Sequence, residues 1–179
     1  LYTAELVEKE RGRALVEALQ AKCPLYEIGA ALAKKVAATD TPQGIFLVAE
    51  QQKKSLPQMA EHLQQAAARK PLLVVLDGVQ DPGNAGTISR TAEGGGADGV
   101  ILTKGSVDVF SDKTVRATMG SLFHLPVVTD VRAEEVAAFA QATGCQLLAT
   151  ALDEQAKPHF AVDFGKGSLI AFGNEGGGV

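Results

Sequence analysis

The sequence has 179 residues, of which 46% are hydrophobic and 21% are charged, and its formal net charge is −4. These totals are typical of a globular protein and fit one full domain plus part of another. No apolar run approaches the roughly 20 residues that a membrane span requires, and the first residues lack a signal-peptide pattern. We therefore expect no membrane partner. The acidic balance argues mildly against nucleic acid, although a local basic face can still bind phosphate.

The cysteines and histidines give little sign of metal binding. Cys23 and Cys145 lack the spacing of metal ligands, and we interpret them as reduced, buried thiols of a cytoplasmic protein. The three histidines, His62, His124 and His159, lie far apart in the sequence. The sequence therefore predicts no metal site.

Residues 1–50 are predicted to form a small α/β piece. Helices are expected over 13–21 and over 30–36, where apolar residues recur on one face. Apolar runs predict a short strand over 25–28 and a buried strand over 45–48. The piece is short for an independent core, so we expect its beginning to be missing.

After a linker and a helix over residues 51–70, strands and helices alternate through residues 71–179. A buried strand over 72–76 is followed by a helix that begins with Asp81 as N-cap and Pro82 as first residue. Further helices and strands are expected over 100–102, 112–119, 125–128, 132–143, 146–150 and 169–172. This alternation predicts an α/β fold, an open parallel sheet with helices on both faces. Ligands of such sheets bind at the carboxyl ends of the strands, here in the polar loop after the first strand.

A glycine-rich stretch over 94–99 matches the dinucleotide pattern GxGxxG letter for letter. The chemistry requires those glycines to follow a strand and open a helix, so that the helix N-terminus meets the pyrophosphate. Here they close a helix and precede a strand. We interpret them as a helix C-cap and turn.

Arg90 and Asn84 are the polar candidates on the predicted helix after the first strand. By helical periodicity Arg90 projects roughly opposite the apolar face, which is formed by Ala85, Ile88 and Ala92. It is either a solvated arginine or one that binds a phosphate or carboxylate bidentately. Asn84, in the first turn, either holds a polar partner or supports the turn.

Other charged residues also allow two interpretations. Lys104, Lys113 and Arg116 are either a solvated face or phosphate contacts, the latter if Arg90 faces the same way. Glu175 lies in the glycine-rich stretch 173–178, where backbone can approach a ligand closely. Its carboxylate is either solvated or directed at that ligand.

Together these stretches resemble the SpoU (TrmH-type) family of RNA ribose 2′-O-methyltransferases. The matching segments are residues 84–86 with 90–92, 115–121 and 173–176. Residues 40–44 resemble the end of the family's amino-terminal RNA-binding domain, whose fold is like that of a ribosomal protein. The resemblance implies that residues 1–50 are part of that domain and that residues 71–179 are the catalytic domain.

The resemblance also implies an activity. A methyl group passes from S-adenosylmethionine to a ribose 2′-hydroxyl of structured RNA, with rRNA favoured over tRNA, in a homodimer whose carboxyl-terminal chain threads a trefoil knot. Arg90 is the implied central catalytic residue, Asn84 supports it, and Glu175 belongs to the second motif. Arg90, Lys113 and Arg116 are the expected RNA contacts. The implied lining of the cofactor pocket is Thr150, Ala151, Leu152, Gly173 and Asn174.

The family's third motif, a loop containing serine, leucine and asparagine, is not found before Val179, so we expect part of the knot to be missing. Two other functions compete. The presence of Asn84, Arg90 and Glu175 argues against an RNA-binding relative without catalysis, whereas the missing third motif keeps that alternative open. A dehydrogenase-like enzyme would need a glycine fingerprint after its first strand and an acidic residue after its second, and neither is present.

Overall fold

The computed structural model describes residues 1–65, 69–174 and 176. The chain divides into two compact units, Leu1–Glu50 and Gln51–Val179. In the described part of the chain, no helix combines the length and the apolar character needed to cross a membrane.

The first unit contains three helices, α1 (Ala4–Glu8), α2 (Glu10–Gln20) and α3 (Ala30–Val36). The two helices predicted here are confirmed. The two predicted strands are wrong, because Tyr2 makes only isolated bridges with Glu27 and with Ile45. The physical reason is visible in the second apolar run, where Val48 is 94% exposed. Its apolar side chain is not packed into this unit.

The second unit is built on a parallel sheet. Its five strands are β1 (Leu72–Asp77), β2 (Gly99–Thr103), β3 (Val127–Val131), β4 (Gln146–Ala149) and β5 (Ser168–Gly173). They are ordered β3-β2-β1-β5-β4, and each neighbouring pair is parallel. The predicted parallel sheet is therefore confirmed, with β1 at its centre.

Helices cover both faces of this sheet, as predicted. They are α4 (Leu56–Gln65), α5 (Pro82–Gly94), α6 (Asp112–Ala117) and α7 (Ala133–Thr143). On one face α4 and α7 contribute buried side chains such as Met59 and Phe139 to a core that includes Leu73 of β1. On the other face, Ala85 of α5 packs with Leu76. Successive residues of a strand point to opposite faces, so β1 supplies both cores.

Local capping chemistry explains where the helices begin and end. At the start of α4 the Ser55 N–H donates to Gln58 Oε1 (2.8 Å), and Ser55 Oγ accepts from the Gln58 N–H (3.4 Å). The Asp81 carboxylate caps α5 by accepting from the Asn84 N–H at 2.8 Å. At the end of α7, Gly144 adopts a left-handed φ of 68°, which glycine tolerates best.

The glycine pattern over 94–99 is confirmed as a helix end. Gly95 is the C-cap residue of α5, and its N–H bonds back to the helix. Gly96 then adopts a φ of 75°, and β2 begins at Gly99. No helix N-terminus follows these glycines, so the geometry of a pyrophosphate site is missing here.

The buried carboxylate of Asp98, which directly precedes β2, forms hydrogen bonds with Arg69 and with Leu72 at the start of β1. Asp98 is 6% exposed, its Oδ1 accepts from Arg69 Nη2 at 2.7 Å, and its Oδ2 accepts from the Leu72 N–H at 2.8 Å. We expect Asp98→Ala to lower the free energy of unfolding by about 2–3 kcal/mol, because two charge-assisted hydrogen bonds are lost. Arg69→Ala should cost clearly less, since the Arg69 side chain is 52% exposed and Asp98 keeps its bond to Leu72. Urea unfolding measures both, and equal losses would contradict this account.

Candidate active site

The carboxyl ends of β4, β5 and β1 lie side by side at one edge of the sheet. Asp77, the last residue of β1, is in register with Gly173 of β5, and Ala149 of β4 is in register with Ala171. The chain leaves β1 toward β2 on one side, whereas β4 and β5 lie on the other side. A reversal of strand order of this kind opens a crevice outside the carboxyl ends, where open α/β sheets bind ligands.

Asn174 joins the turns that follow β1 and β5. Its Nδ2 donates to the Gly78 carbonyl at 2.9 Å, and its Oδ1 accepts from the Gly176 N–H at 2.8 Å. Gly78 has a φ of 66°, a left-handed conformation that side chains with a Cβ rarely adopt. The carboxamide of Asn174 therefore ties the turn after β5 to the turn after β1.

A second set of hydrogen bonds extends this edge to β2. Thr103 Oγ1 donates to Asp77 Oδ1 at 2.7 Å and accepts from the Gly78 N–H at 3.0 Å. Our sequence analysis missed these contacts. The sequence did contain a pattern that indicates them, because the apolar strands β1 and β2 end in Asp77 and Thr103, whose side chains both carry oxygen atoms that form hydrogen bonds.

The residues predicted to line the cofactor pocket are partly brought together. Thr150 follows β4, and its N–H and Oγ1 both donate to the Ala171 carbonyl of β5, at 2.9 Å and 3.1 Å. Thr150 thus lies at the same sheet edge as Gly173 and Asn174. Ala151 and Leu152 continue into an exposed loop, and the Leu152 side chain is fully exposed.

Asn84 and Arg90 are both exposed on α5, but Asn84 lies in its first turn and Arg90 in its second half. Asn84 lies in the first turn, next to the end of β1. Arg90 lies six residues further, roughly 9 Å along the helix axis. Its guanidinium makes no hydrogen bond or ion pair with any residue that the structure describes. Within one chain, the helix carries Arg90 away from Asn174.

Close packing joins α5 to α6, the helix that carries Lys113 and Arg116. A Cβ placed on Gly86 would overlap Ala117 Cβ and would lie 3.0 Å from the Thr114 carbonyl oxygen. Lys113 and Arg116 are exposed and three residues apart, so they share one face of α6. The structure therefore places them on the helix beside the one that carries Arg90, while Glu175 lies outside the described residues.

Comparison with known proteins identifies relatives of this chain. The 23S rRNA (guanosine(2553)-2′-O)-methyltransferase RlmP of Bacillus subtilis is 40% identical over 144 residues, which are 80% of this chain and 53% of that protein. The mitochondrial rRNA methyltransferase 3 of Mus musculus is 41% identical over 99 residues, 54% of this chain and 22% of that protein. The chain thus spans about half the length of the bacterial relative.

Solved structures with the same fold match nearly the whole chain. The SpoU methyltransferase AviRb from Streptomyces viridochromogenes, in complex with AdoMet, has a TM-score of 0.80 and 28% identity, covering 99% of this chain and 65% of that one. An AdoMet-bound rRNA methyltransferase from Sinorhizobium meliloti has a TM-score of 0.77 and 32% identity, covering 99% and 64%. Residues 71–179 match the model of the SpoU rRNA Methylase family, and the chain therefore belongs to that family.

Proposed function

We propose that this protein transfers a methyl group from S-adenosylmethionine to the ribose 2′-hydroxyl of a nucleotide in rRNA. The observation that carries the proposal is the reversal of strand order at the carboxyl ends of β1, β4 and β5, where Asn174 Nδ2 donates to the Gly78 carbonyl at 2.9 Å. Membership of the SpoU family and the names of the rRNA methyltransferase relatives support the same activity.

The groups at the crevice fit S-adenosylmethionine. Gly78 and Gly173 lie at the same sheet edge as Asn174 and Thr150. Asn174 keeps one Nδ2 hydrogen and an Oδ1 lone pair beyond its bonds to Gly78 and Gly176, and the Thr150 oxygen keeps its lone pairs, which suit the hydrogen-bonding edges of an adenosine. The glycines allow the backbone to approach a ligand closely. When bound, S-adenosylmethionine supplies a methyl group on a positively charged sulfur. In-line transfer from such a sulfur requires that the ribose 2′-hydroxyl be held in line with the methyl group and that its proton be removed. It needs no metal.

Arg90 acts as an electrostatic clamp on the ribose or its phosphate. A guanidinium stays protonated in proteins and is therefore a poor proton acceptor, but it stabilises a developing alkoxide well. Its exposure and its lack of partners among the described residues leave the guanidinium available to RNA. Asn84 supports the site from the first turn of α5, and Glu175 belongs to it through the second family motif.

A homodimer completes the site, with Arg90 of one chain serving the crevice of the other. Support comes from the position of Arg90, which lies about 12 Å along α5 from Pro82 at the crevice edge. An electrostatic clamp must lie about 2.7–3.1 Å from the charge that it stabilises, and α5 carries Arg90 away from the sheet edge of its own chain. The trefoil knot expected for the family belongs to the same catalytic domain.

RNA is held by basic residues and by the first unit. Arg90, Lys113 and Arg116 contact phosphates, since arginine and lysine provide most of the affinity for nucleic acid backbones. Residues 1–50 are part of an RNA-binding domain, and residues 51–70 connect it to the catalytic domain. The protein acts on rRNA in the cytoplasm. The net charge of −4 confines this binding to local basic faces.

Methyl transfer is tested with the full-length protein, S-adenosylmethionine labelled in its methyl group, and rRNA from cells that lack the gene. We expect label in rRNA at a position where the phosphodiester bond resists alkali, because a 2′-O-methyl group removes the nucleophile that attacks it. Fully methylated rRNA from cells that carry the gene is the control and should accept little label. Label that appears in a base or in protein would contradict the proposal.

A further inference from the structure

Thr103 lies at the end of β2, one strand away from the proposed cofactor crevice, and no family motif in the sequence includes it. We infer that Thr103 is a positioning residue for cofactor binding, which acts on Asn174 through the backbone of Gly78. The inference rests on the proposed function, because it assigns a role within that same crevice.

The Thr103 hydroxyl has two short hydrogen bonds in a buried setting. The side chain is 5% exposed, so water does not replace lost partners easily. Its single hydrogen is donated to Asp77 Oδ1 at 2.7 Å, whereas the Leu76 carbonyl is further away at 3.4 Å. The oxygen accepts from the Gly78 N–H at 3.0 Å. The hydroxyl thus fixes both residues that follow the apolar part of β1.

Gly78 is held from both sides by these contacts. Thr103 binds its N–H, and Asn174 Nδ2 donates to its carbonyl at 2.9 Å. Its φ of 66° is a left-handed conformation that few residues other than glycine adopt. Asn174 in turn accepts from Gly176 at 2.8 Å. A chain of hydrogen bonds therefore runs from β2 through β1 to the glycine-rich turn after β5.

The role of Thr103 is separable from holding the sheet together. The pairing of β1 with β2 continues to Leu76 and Leu102, which are in register before the turn begins. Loss of the Thr103 hydroxyl leaves that ladder intact and frees the Asp77 carboxylate and the turn at Gly78. Ser106 is a matched control, because its hydroxyl donates to the Leu76 carbonyl at 3.0 Å and lies outside the chain of bonds that reaches Asn174.

Binding of S-adenosylmethionine to the full-length protein, measured by calorimetry without RNA, tests the inference. We expect Thr103→Val to weaken binding about tenfold, the effect of one buried hydrogen bond. Thr103→Ser, which keeps the hydroxyl, should restore the affinity of the unaltered protein. Ser106→Ala should change the affinity less than about twofold. Thermal melting of each variant monitors the fold.

A double-mutant cycle separates positioning from a general loss of structure. If Thr103 acts through Asn174, then Thr103→Val should weaken binding less than about twofold when Asn174→Ala is already present. Thr103→Ala goes through the same cycle, so a folding defect of one variant does not decide the result. The inference would be overturned if Thr103→Val and Thr103→Ala both left the affinity for S-adenosylmethionine unchanged. It would also be overturned if they weakened binding as much in the presence of Asn174→Ala as in its absence. Neither result would affect the proposed function. Failure of the unaltered protein to bind S-adenosylmethionine would overturn the proposed function and the inference with it.

Discussion

Replacing Arg90 with alanine should lower methyl transfer to rRNA by about a hundredfold or more, the usual effect of removing a group that stabilises the transition state. The fold should survive, because Arg90 is exposed and is bonded to no other described residue. Incorporation of labelled methyl groups measures the transfer, and the melting temperature monitors the fold. Affinity for S-adenosylmethionine without RNA should stay unchanged. Transfer at the unaltered rate would refute the role of Arg90.

Mixing two inactive variants tests whether Arg90 serves the other chain of a dimer. Arg90→Ala and Asn174→Ala chains, denatured together and refolded, should recover about a quarter of the unaltered activity, since random pairing gives half mixed dimers with one intact site each. If Arg90 instead acted within its own chain, every site in the mixture would carry a defect. No recovery would then be observed.

Gly86→Ala is expected to lower the free energy of unfolding by about 1–3 kcal/mol, the range for overpacking a close contact. The new methyl group would overlap Ala117 Cβ and would lie 2.9 Å from the Ala117 carbonyl carbon. Backbone cannot move aside as a flexible side chain does, so α5 and α6 must separate. Urea unfolding measures the loss.

Gly94→Ala in the same helix is the matched control. Apart from its chain neighbours and the backbone of its own helix, no atom of the described residues lies within 4 Å of the position of its added Cβ. Alanine also has a higher helix propensity than glycine, so we expect the free energy of unfolding to rise by up to about 1 kcal/mol.

Displacement of α6 in Gly86→Ala should also weaken rRNA binding, because Lys113 and Arg116 lie on it. Equal stability of the two variants would show that α5 and α6 do not depend on this contact.

Features that depend on local chemistry could be predicted from the sequence. Asp81 and Pro82 mark the start of α5, and Ser55 with Gln58 marks the start of α4, because capping involves residues only three apart. The left-handed residue at Gly144 ends α7 for a similarly local reason. The alternation of strands and helices then sufficed for a parallel sheet with helices on both faces.

Features that depend on distant contacts could not. The strand order places β5 between β1 and β4, which no local pattern specifies. The apolar run that ends at Val48 has the composition of a strand, but strand formation requires a partner, and only Ile45 forms a bridge. The bonds of Thr103 to Asp77 and Gly78 join residues that are 26 and 25 positions apart in the sequence. They therefore appear only in the folded structure.

The pairing of the central strand has a consequence for biosynthesis. Leu72 of β1 pairs with Ser168 of β5, and the Asn174 amide reaches Gly78 across 96 residues of chain. As the polypeptide emerges from the ribosome, β1 is synthesised long before β5, and one of its edges has unpaired N–H and carbonyl groups until β5 is available. Unpaired strand edges promote aggregation. Slow translation or chaperone binding between these strands should therefore influence the yield of native protein more than changes in either strand alone.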